Sequence, residues 1–299
     1  MKVLITGAAG FVARHMVPFF IEQGHELICV DRNEAPLHLK NEKIRFIRAD
    51  TSHPGVWQKA AAEADAVVNL AGKNIFSRWS EEYKKSLYDS RIQTTRNLVE
   101  AIDESDPPVL CSTSAVGYYG DKGDLLVDEN AEPGDDFLAR LSMDWENTAL
   151  GAEKKGARVV LTRFALVMAK DGGALATMLP AFKYFVGGPM GAGTHWMPWI
   201  HVYDLVRAMD FVITNKNISG PVNFAAPNPV QNAEFSKILA KILNRPSVFR
   251  VPKFVLKTAM GELGEAMLNS QRAIPARLTE AGFEFSYPEL ESALAYELG

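Results

Sequence analysis

Cysteine is scarce in this sequence: there are two among 299 residues, and both Cys29 and Cys111 fall in apolar, strand-like runs. We expect reduced, buried thiols rather than a disulfide. The six histidines form no metal-ligand spacing with these cysteines, and there is no His-Glu-x-x-His run, so no metal site is predicted. A Gly-x-Ser-x-Gly sequence is also missing, which argues against a serine hydrolase.

Long apolar runs and an excess of basic charge are missing as well. No stretch approaches about 18 consecutive apolar residues, and the chain enters a strand-like segment directly, without the architecture of a signal peptide. The formal net charge is −4, with no basic stripe, which argues against a nucleic-acid partner. We therefore expect a cytoplasmic protein with neither a membrane nor a nucleic-acid partner.

The first two-thirds of the chain alternates short β-branched runs with longer helical patterns. Most of the strand candidates are apolar on both faces, as strands inside a parallel sheet are. Strands are predicted at 2–6, 26–31, 44–47, 66–70, 108–112 and 158–163, and helices at 10–23, 56–63, 80–104 and 137–155. This alternation predicts an α/β fold with a doubly wound parallel sheet.

The rhythm changes after about residue 170. Glycine pairs mark irregular connections, a helix is predicted to begin near Val202, and a strand at 221–225 and a helix at 232–243 follow. Prolines then punctuate a tail of short helices. We expect a main domain over residues 1–170 with contributions up to about 230, a second region over 171–245, and a small helical segment over 246–299.

The first strand candidate runs into a glycine-rich turn, TGAAGFVA at residues 6–13. In a strand–turn–helix unit, Gly7 permits the tight turn, and Gly10 removes a side chain where the backbone approaches a pyrophosphate. The start of the next helix offers free N–H groups and partial positive charge, so Phe11 and Val12 are further expected contacts. Ala13 takes the third position of the fingerprint, where alanine is an accepted variant.

An acidic residue, Asp31, ends the second strand candidate at about the distance expected of a dinucleotide-binding unit. This context indicates that the glycine turn binds NAD or NADP, rather than being a bend without a ligand. Asp31 is suited to accept hydrogen bonds from the adenosine ribose of NAD, whereas Arg32 is suited to pair with the 2′-phosphate of NADP unless it is a solvated loop charge. The sequence leaves the choice between the two cofactors open.

Several motifs, taken in order, resemble the extended short-chain dehydrogenase/reductases: the glycine turn, VVNLAG at 67–72, and STSAVGYYGD at 112–121. RWS at 78–80, DSRIQTT at 89–95, GGPMGAG at 187–193 and WIH at 199–201 are similar to an atypical branch, the epimerase-like proteins of the YfcH type. RVP at 250–252 and QRAIP at 271–275 resemble the small C-terminal domain of unknown function of that branch. The resemblance covers essentially the whole chain.

The resemblance implies a Rossmann domain that binds NAD(P) over residues 1–170 and a substrate-side region beyond it. Implied cofactor contacts follow the third, fourth and sixth predicted strands: Asp50 and Thr51 near the adenine, Leu70, Ala71 and Gly72 on the adenosine and ribose side, and Arg163. The residues themselves leave alternatives open, since Asp50 is also suited to cap a turn and Arg163 to form a buried ion pair.

The family's reaction uses a serine or threonine with a Tyr-x-x-x-Lys pair, in which the lysine lowers the pKa of the tyrosine that moves the proton. Ser114, or Thr113 beside it, matches the hydroxyl position. When the family's downstream glutamate is aligned on Glu146, Ala139 stands where the tyrosine belongs and Met143 where the lysine belongs. The usual proton relay is therefore missing from this helix.

Two other groups of residues are candidates for the missing chemistry. Tyr118 and Tyr119 follow Ser114 at a strand end, where ligands bind in open α/β sheets, and either phenol is suited to acid–base chemistry if a cation lies near. The alternative is that both rings pack against the loop. Candidate substrate contacts are Trp79, Trp196, Trp199 and His201, for which an aromatic core corner, a helix anchor and a polar helix start are the structural alternatives.

The sequence thus predicts an NAD(P)-dependent oxidoreductase or a nucleoside-diphosphate-sugar-epimerase-like protein. Its partner would be a small molecule such as a nucleotide sugar, and its oligomeric state is left open. The alternative is a non-catalytic NAD(P)(H)-binding sensor or regulatory protein, because an intact cofactor turn beside a departed catalytic pair is what such a protein would have.

Overall fold

A seven-stranded parallel sheet forms the centre of the protein in a computed structural model that describes residues 1–247 and 249–299. In chain order the strands are β1 (Lys2–Thr6), β2 (Glu26–Asp31), β3 (Ile44–Arg48), β4 (Ala66–Asn69), β5 (Val109–Ala115), β6 (Leu126–Val127), β7 (Arg158–Phe164), β8 (Leu166–Ala169), β9 (Trp196–Met197), β10 (Trp199–His201), β11 (Gly220–Phe224), β12 (Val230–Gln231) and β13 (Arg272–Ala273). The central sheet has the order β11-β7-β5-β4-β1-β2-β3. The predicted doubly wound α/β fold is therefore confirmed.

Helices cover both faces of this sheet and build the C-terminal region. They are α1 (Phe11–Glu22), α2 (Trp57–Ala61), α3 (Glu81–Ala101), α4 (Phe137–Leu150), α5 (Gly173–Lys183), α6 (Val202–Thr214), α7 (Asn232–Leu243), α8 (Lys253–Met260), α9 (Glu262–Ala266), α10 (Ala276–Glu280) and α11 (Leu290–Leu298). None of these described helices combines the length and the apolarity needed to cross a bilayer.

Local sequence signals fix the starts of the two long helices. Ser80 caps α3, its Oγ accepting a hydrogen bond of 3.1 Å from the backbone N–H of Tyr83. Asp136 caps α4 in the same way, with Oδ1 2.8 Å from the N–H of Ala139. Each cap satisfies a backbone donor that the first helical turn would otherwise leave unpaired.

Alternating side chains of the buried strands feed two cores. In β1, Val3 and Ile5 pack with α1 and α6 on one face, while Leu4 packs on the opposite face with residues of α2, α3 and α4. Cys29 and Cys111 are unpaired and buried, as predicted. Burial raises the pKa of each thiol to about 12, so both are unreactive.

The chain reverses direction across the sheet after β3. β2 and β3 lie in turn on one side of β1, and β4, β5, β7 and β11 lie in turn on the other. Connections on the two sides of β1 and β4 therefore diverge, which opens a crevice at the carboxyl ends of these strands.

The C-terminal region packs against this frame through two further apolar clusters. One joins α5, α7 and α11 around Trp199 and Phe235. The other lays Leu263 of α9 against Trp79 and Leu87, over the starts of α3 and α4. β6 and β13 also pair in parallel, so residues beyond 250 are tied to the loop that follows β5.

Candidate functional site

A groove of about 750 Å³ lies at the carboxyl ends of β1 to β4, where the topology opens the crevice. It is lined by Gly7, Ala9, Gly10, Val30, Asp31, Arg32, Asn33, Ala49, Asp50, Thr51, Ser52, His53, Leu70, Ala71, Gly72, Lys73, Lys85, Ser86, Asp89, Ser90, Gln93 and Thr94. Most of the cofactor contacts expected from the sequence lie in this lining. Phe11, Val12 and Arg163 are the exceptions.

The glycine turn forms the floor of the groove. Gly7 has a φ of 66°, and a Cβ added there would lie 3.0 Å from backbone atoms of Leu70 and Ala71. The N–H of Gly10 donates to the carbonyl of Gly7 at 2.9 Å, which closes the turn just before α1. Glycine is needed at Gly7 both for the left-handed conformation and for the close approach of β4.

The start of α1 suits an anion. Gly10 is its N-cap and supplies no side-chain cap, and the first turn contains no acidic residue. The first N–H groups of the helix are therefore free to bind a ligand, and the helix dipole adds partial positive charge. These features fit the pyrophosphate of a dinucleotide. Phe11 turns its ring away and fills the space beside Gly172, where a Cβ would lie 2.1 Å from the ring.

Asp31 braces the turn from the end of β2. Its Oδ2 accepts a 3.0 Å hydrogen bond from the N–H of Ala9, and its Oδ1 accepts one of 2.9 Å from the N–H of Asn33. The carboxylate is buried, whereas the next residue, Arg32, is exposed and lines the groove. The two residues that favour different cofactors thus differ in their surroundings. Asp31 is hydrogen-bonded to the backbone, and Arg32 is exposed to solvent.

Asp50 and Thr51 form the wall at the end of β3. Asp50 accepts hydrogen bonds from Ser52 at 2.6 Å (Oγ) and 3.0 Å (N–H). The hydroxyl of Ser52 lowers the pKa of Asp50, and burial opposes this; the N–H of Ser52 and the charges of His53 and Arg32 lower the pKa further. Thr51 is buried, with its Oγ1 3.1 Å from that of Thr94 on α3.

The wall at the end of β4 is fixed by a chain of buried hydrogen bonds. Thr6 Oγ1 donates to Asn69 Oδ1 at 2.8 Å and accepts from the N–H of Ala71 at 3.2 Å. Asn69 in turn donates to Thr95 of α3 at 2.9 Å. This network holds the backbone of residues 70–72 beside the glycine turn.

One wall of the groove escaped the sequence analysis. Polar residues of α3 line it at the spacing of one helix face: Ser86, Asp89, Ser90, Gln93 and Thr94. These polar side chains follow an i, i+3, i+4, i+7, i+8 pattern, which places them on one face of a helix. That pattern was the sequence signal from which this wall could have been predicted.

Arg91, on the same helix, lies directly beneath Gly72. Its guanidinium would be 3.3 Å from a Cβ at Gly72. It forms no ion pair with any described residue, its Nη1 donating instead to the carbonyl of Leu87 at 3.1 Å. Burial lowers the pKa of Arg91 to about 10, so the side chain still carries its positive charge at neutral pH, next to the groove.

Ser114 belongs to a buried charge network. Its Oγ donates to Glu146 Oε1 at 2.6 Å, and Arg163 binds both carboxylate oxygens of Glu146 at 2.8 Å. Burial by itself lowers the pKa of Arg163, but the hydrogen bonds and charge of Glu146, together with Tyr119, raise it overall. Arg163 therefore has the position of a buried structural ion pair, the alternative that the sequence left open.

Tyr118 and Tyr119 both contact Arg163 but differ in how much of each side chain is exposed. Tyr119 is fully buried, donates to Asn223 Oδ1 at 2.6 Å and accepts from Arg163 Nη1 at 3.0 Å. Burial raises the pKa of Tyr119 to about 12, which suits packing rather than proton transfer. Tyr118 is half-buried, and the Arg163 guanidinium lies 3.5 Å from its ring centroid.

The family's tyrosine and lysine positions are apolar on α4. Ala139 is fully buried and Met143 is half-buried. A Tyr-x-x-x-Lys spacing does occur earlier in the chain, at Tyr118 and Lys122, although no catalytic pair was predicted there. These two residues share no helix, because Gly120 has a φ of 64°, and Lys122 Nζ donates to the carbonyl of Pro133 at 3.3 Å.

Of the four candidate substrate contacts, three are buried. Trp79 donates to the carbonyl of Ile75 at 2.9 Å, and Trp199 donates to that of Asn228 at 3.0 Å. Both positions are accounted for by packing, and His201, whose Nδ1 accepts from the N–H of Tyr203, is the N-cap of α6.

Trp196 alone of these four keeps part of its ring at the surface. Its Nε1 donates to Asp124 at 2.9 Å, and Arg272 lies 4.4 Å from its ring centroid. No group of three or more histidine, cysteine, aspartate or glutamate side chains converges anywhere in the described part of the chain.

Comparisons with known proteins agree with this architecture. The NAD dependent epimerase/dehydratase family matches residues 3–225, and a domain of unknown function (DUF1731) matches residues 251–297. The chloroplastic epimerase family protein SDR39U1 homolog of Arabidopsis thaliana is 42% identical over an alignment of 305 residues. The alignment covers 98% of this chain and 86% of that protein.

Solved structures include close relatives too. The crystal structure of human epimerase family protein SDR39U1 (isoform 2) with NADPH has a TM-score of 0.88 and 31% identity, covering 100% of this chain and 99% of the human one. A nucleoside-diphosphate sugar epimerase of Corynebacterium glutamicum has a TM-score of 0.79 and 35% identity, covering 100% of this chain but 58% of the other. The resemblance drawn from the motifs is confirmed: this chain belongs to the NAD dependent epimerase/dehydratase family and ends in a DUF1731 domain.

Proposed function

We propose that this protein binds NADP(H) in the groove at the ends of β1 to β4 and exchanges a hydride with a small carbonyl or alcohol compound. The observation that carries the proposal is the cradle at Gly7 and Gly10, where glycine conformation, uncapped helix N–H groups and the β4 backbone meet. A nicotinamide cofactor, when bound, supplies the hydride chemistry. The cytoplasmic location of the protein that the sequence predicts remains a prediction.

The rim of the groove favours NADP over NAD. Both Asp31 oxygens already accept backbone hydrogen bonds, while Arg32 and His53 are exposed and line the groove. A guanidinium pairs strongly with a 2′-phosphate, and that pairing is absent for NAD. The human relative was crystallised with NADPH.

Binding measurements on matched arginine variants test this preference. We expect Arg32→Ala to weaken NADPH binding about 10- to 100-fold, the loss of a charge-assisted hydrogen bond, and to leave NADH binding nearly unchanged. Arg45→Ala, an exposed arginine outside the groove, is the control and should bind both cofactors like the wild type. Equal losses for NADPH and NADH in Arg32→Ala would contradict the assignment of Arg32 to the 2′-phosphate.

The proton of the reaction is assigned to Tyr118. Ser114 is buried and commits its hydroxyl hydrogen to Glu146, and Tyr119 is sealed in the core. Tyr118 follows Ser114 at the end of β5, is half-buried, and has the Arg163 cation against its ring. In this arrangement Arg163 and Glu146 act as positioning residues, and the phenol of Tyr118 gives or takes the proton at the substrate oxygen.

Turnover of Tyr118→Phe tests this role. NADPH oxidation is followed against a panel of carbonyl compounds and nucleotide sugars, the latter because the Corynebacterium relative is a nucleoside-diphosphate sugar epimerase. With any active panel member, Tyr118→Phe should lower turnover by about 100-fold or more, with NADPH affinity unchanged. Tyr296→Phe, on an exposed ring of α11, is the control. Full activity of Tyr118→Phe would reject the assignment.

A non-catalytic NADP(H) sensor is the second candidate function. It is favoured by the apolar side chains at Ala139 and Met143 and by the closed Ser114–Glu146 hydrogen bond. Tight NADPH binding with no turnover across the whole panel would support the sensor. Failure to bind either NADPH or NADH would reject both functions.

A further inference from the structure

A surface outside the groove exposes six large apolar side chains. They lie directly after α5 and along the segment that leads into and begins α8, and they are between 40% and 78% exposed. We call this surface the C-terminal face and define its apolar part by Tyr184, Phe185, Val186, Phe249, Phe254 and Val255. Soluble proteins rarely leave such a concentration of aromatic and aliphatic side chains in water unless the surface binds something.

The two segments that carry these side chains are fixed side by side. The N–H of Gly191 donates to the carbonyl of Val251, and the N–H of Val251 donates to that of Pro189, both at 2.8 Å. Arg245 lies 4.7 Å from the ring centroid of Phe185. A Cβ at Gly188 would fall 1.9 Å from the carbonyl oxygen of Phe249, so glycine lets the backbones meet. The two segments that carry the apolar side chains are therefore neighbours on the surface.

Basic residues surround this apolar part. Lys183, Arg245, Arg250, Lys253 and Lys257 lie on the same two segments, and all are exposed. Of these five, Lys257 alone forms an ion pair with a described residue, Glu265, at 2.7 Å. The chain as a whole has a net charge of −4, so this positive charge is a local feature rather than a property of the composition.

Phe185 is exposed at the turn that ends α5. Its φ is 65°, the left-handed conformation common just after a helix. The N–H of Val186 donates to the carbonyl of Ala181 at 2.9 Å and that of Phe185 to the carbonyl of Phe182 at 3.0 Å, which closes the end of the helix.

We propose that the C-terminal face binds peripherally to a bilayer rich in anionic lipid. Aromatic and aliphatic side chains enter the interface while lysine and arginine pair with lipid headgroups, a combination typical of peripheral membrane surfaces. The positive charge of the face is complementary to such a bilayer. A purely acidic protein surface would match this charge but would offer no apolar contacts to the aromatic and aliphatic side chains. The lack of a long apolar run, noted in the sequence, bears on spanning helices and not on this mode of binding.

Co-sedimentation with vesicles tests the proposal. The full chain is mixed with vesicles of phosphatidylcholine alone or of phosphatidylcholine and phosphatidylglycerol. We expect binding to the anionic vesicles only, and its loss at high salt, because the attraction is screened. The experiment needs no cofactor and does not depend on the proposed reaction.

Two pairs of variants separate the charge contribution from the apolar one. Arg250→Ala with Lys253→Ala should lower the partition coefficient about 25-fold, roughly fivefold for each charge. Phe254→Ser should lower it as well while keeping the salt dependence. The matched controls, Lys40→Ala with Lys43→Ala and Leu37→Ser, change exposed residues of the β2–β3 connection and should bind vesicles like the wild type. Circular dichroism and the midpoint of thermal unfolding show that each variant is folded.

Three results would overturn the proposal. One is equal binding to neutral and anionic vesicles, and another is wild-type binding by both C-terminal variants. The third is a dimer in sedimentation velocity without lipid that Phe254→Ser converts to a monomer, which would assign the face to a second copy of this chain.

Discussion

Gly7 lies where β1, the glycine turn and the end of β4 meet. Its positive φ and its 3.0 Å distance from the Leu70 and Ala71 backbone are separate constraints. A residue with a Cβ pays for the left-handed conformation by about 1–2 kcal/mol, and here it also has to push β4 away from the turn. The second effect acts on the groove itself.

Gly7→Ala should therefore lose both stability and cofactor binding. We expect a decrease in the free energy of unfolding of about 1–3 kcal/mol and at least about a tenfold weaker binding of NADPH, since the turn no longer fits the pyrophosphate. Gly24→Ala is a close control, because Gly24 has a φ of 85° but open space around its Cβ position. It should lose stability alone. Urea denaturation and fluorescence titration measure the two effects, and unchanged NADPH affinity in Gly7→Ala would contradict the cradle.

A buried carboxylate, Glu297, links helix α11 to His201 and to the backbone of Lys170. Glu297 Oε1 accepts from His201 Nε2 at 3.0 Å, and Oε2 accepts from the N–H of Lys170 at 2.7 Å. Burial lowers the pKa of His201 below its ordinary 6.5, although the charge and hydrogen bond of Glu297 and the charge of Asp204 oppose this. His201 is therefore neutral in the folded protein over a wider pH range than in the unfolded chain.

This difference predicts a pH dependence of stability. Above about pH 6.5 the group is neutral in both states and has no effect. Below that pH the unfolded chain binds the proton more readily, so stability falls by up to about 1.4 kcal/mol per pH unit. His201→Asn should flatten part of this slope between pH 7.5 and 5.5 in urea denaturation. The rest of the slope should remain in this variant, because burial also lowers the pKa of His195.

The exposed His53 supplies the control, since its side chain is 79% exposed. His53→Asn should keep the wild-type slope. A slope that is the same in His201→Asn and in the wild type would show that the α11 contact does not titrate.

Hydrogen bonds that are at least partly buried join the main sheet and its helices to the C-terminal region. β13 pairs with β6, and Asn223 of β11 donates to the carbonyl of Ile274 at 2.9 Å. Asp204 of α6 accepts from the N–H groups of Ser286 and Tyr287, both at 2.8 Å. The C-terminal region thus completes polar groups of the main sheet and its helices, which would be left unpaired without it.

We therefore expect one cooperative unfolding transition in calorimetry rather than separate transitions for the regions expected from the sequence. A saturating cofactor binds the folded state alone and raises its stability by about 2.7 kcal/mol at one hundred times the dissociation constant. NADPH should accordingly raise the midpoint of the whole transition. Two transitions, or a shift confined to one of them, would show that the C-terminal region unfolds independently.

The elements of the main sheet follow closely from local sequence. The predicted strands at 2–6 and 26–31 and the helix at 232–243 match the observed bounds, because each apolar run is closed by turn residues. The predicted helix at 137–155 instead ends at Leu150 and continues as a 3-10 turn over Gly151–Lys155. β5 extends to Ala115, beyond the predicted end, because parallel pairing with β7 continues through Ser114 and Arg163.

The sequence by itself determined the fold, the glycine turn and the apolar residues Ala139 and Met143 on α4, because each depends on residues close together in the chain. Only the tertiary structure decided how the polar side chains around Ser114 pair with one another. Arg163 and Glu146 are 17 positions apart, and the buried pair turns Ser114 inward and leaves Tyr118 as the half-exposed phenol. Such pairings depend on how β5, β7 and α4 pack, which no local pattern encodes.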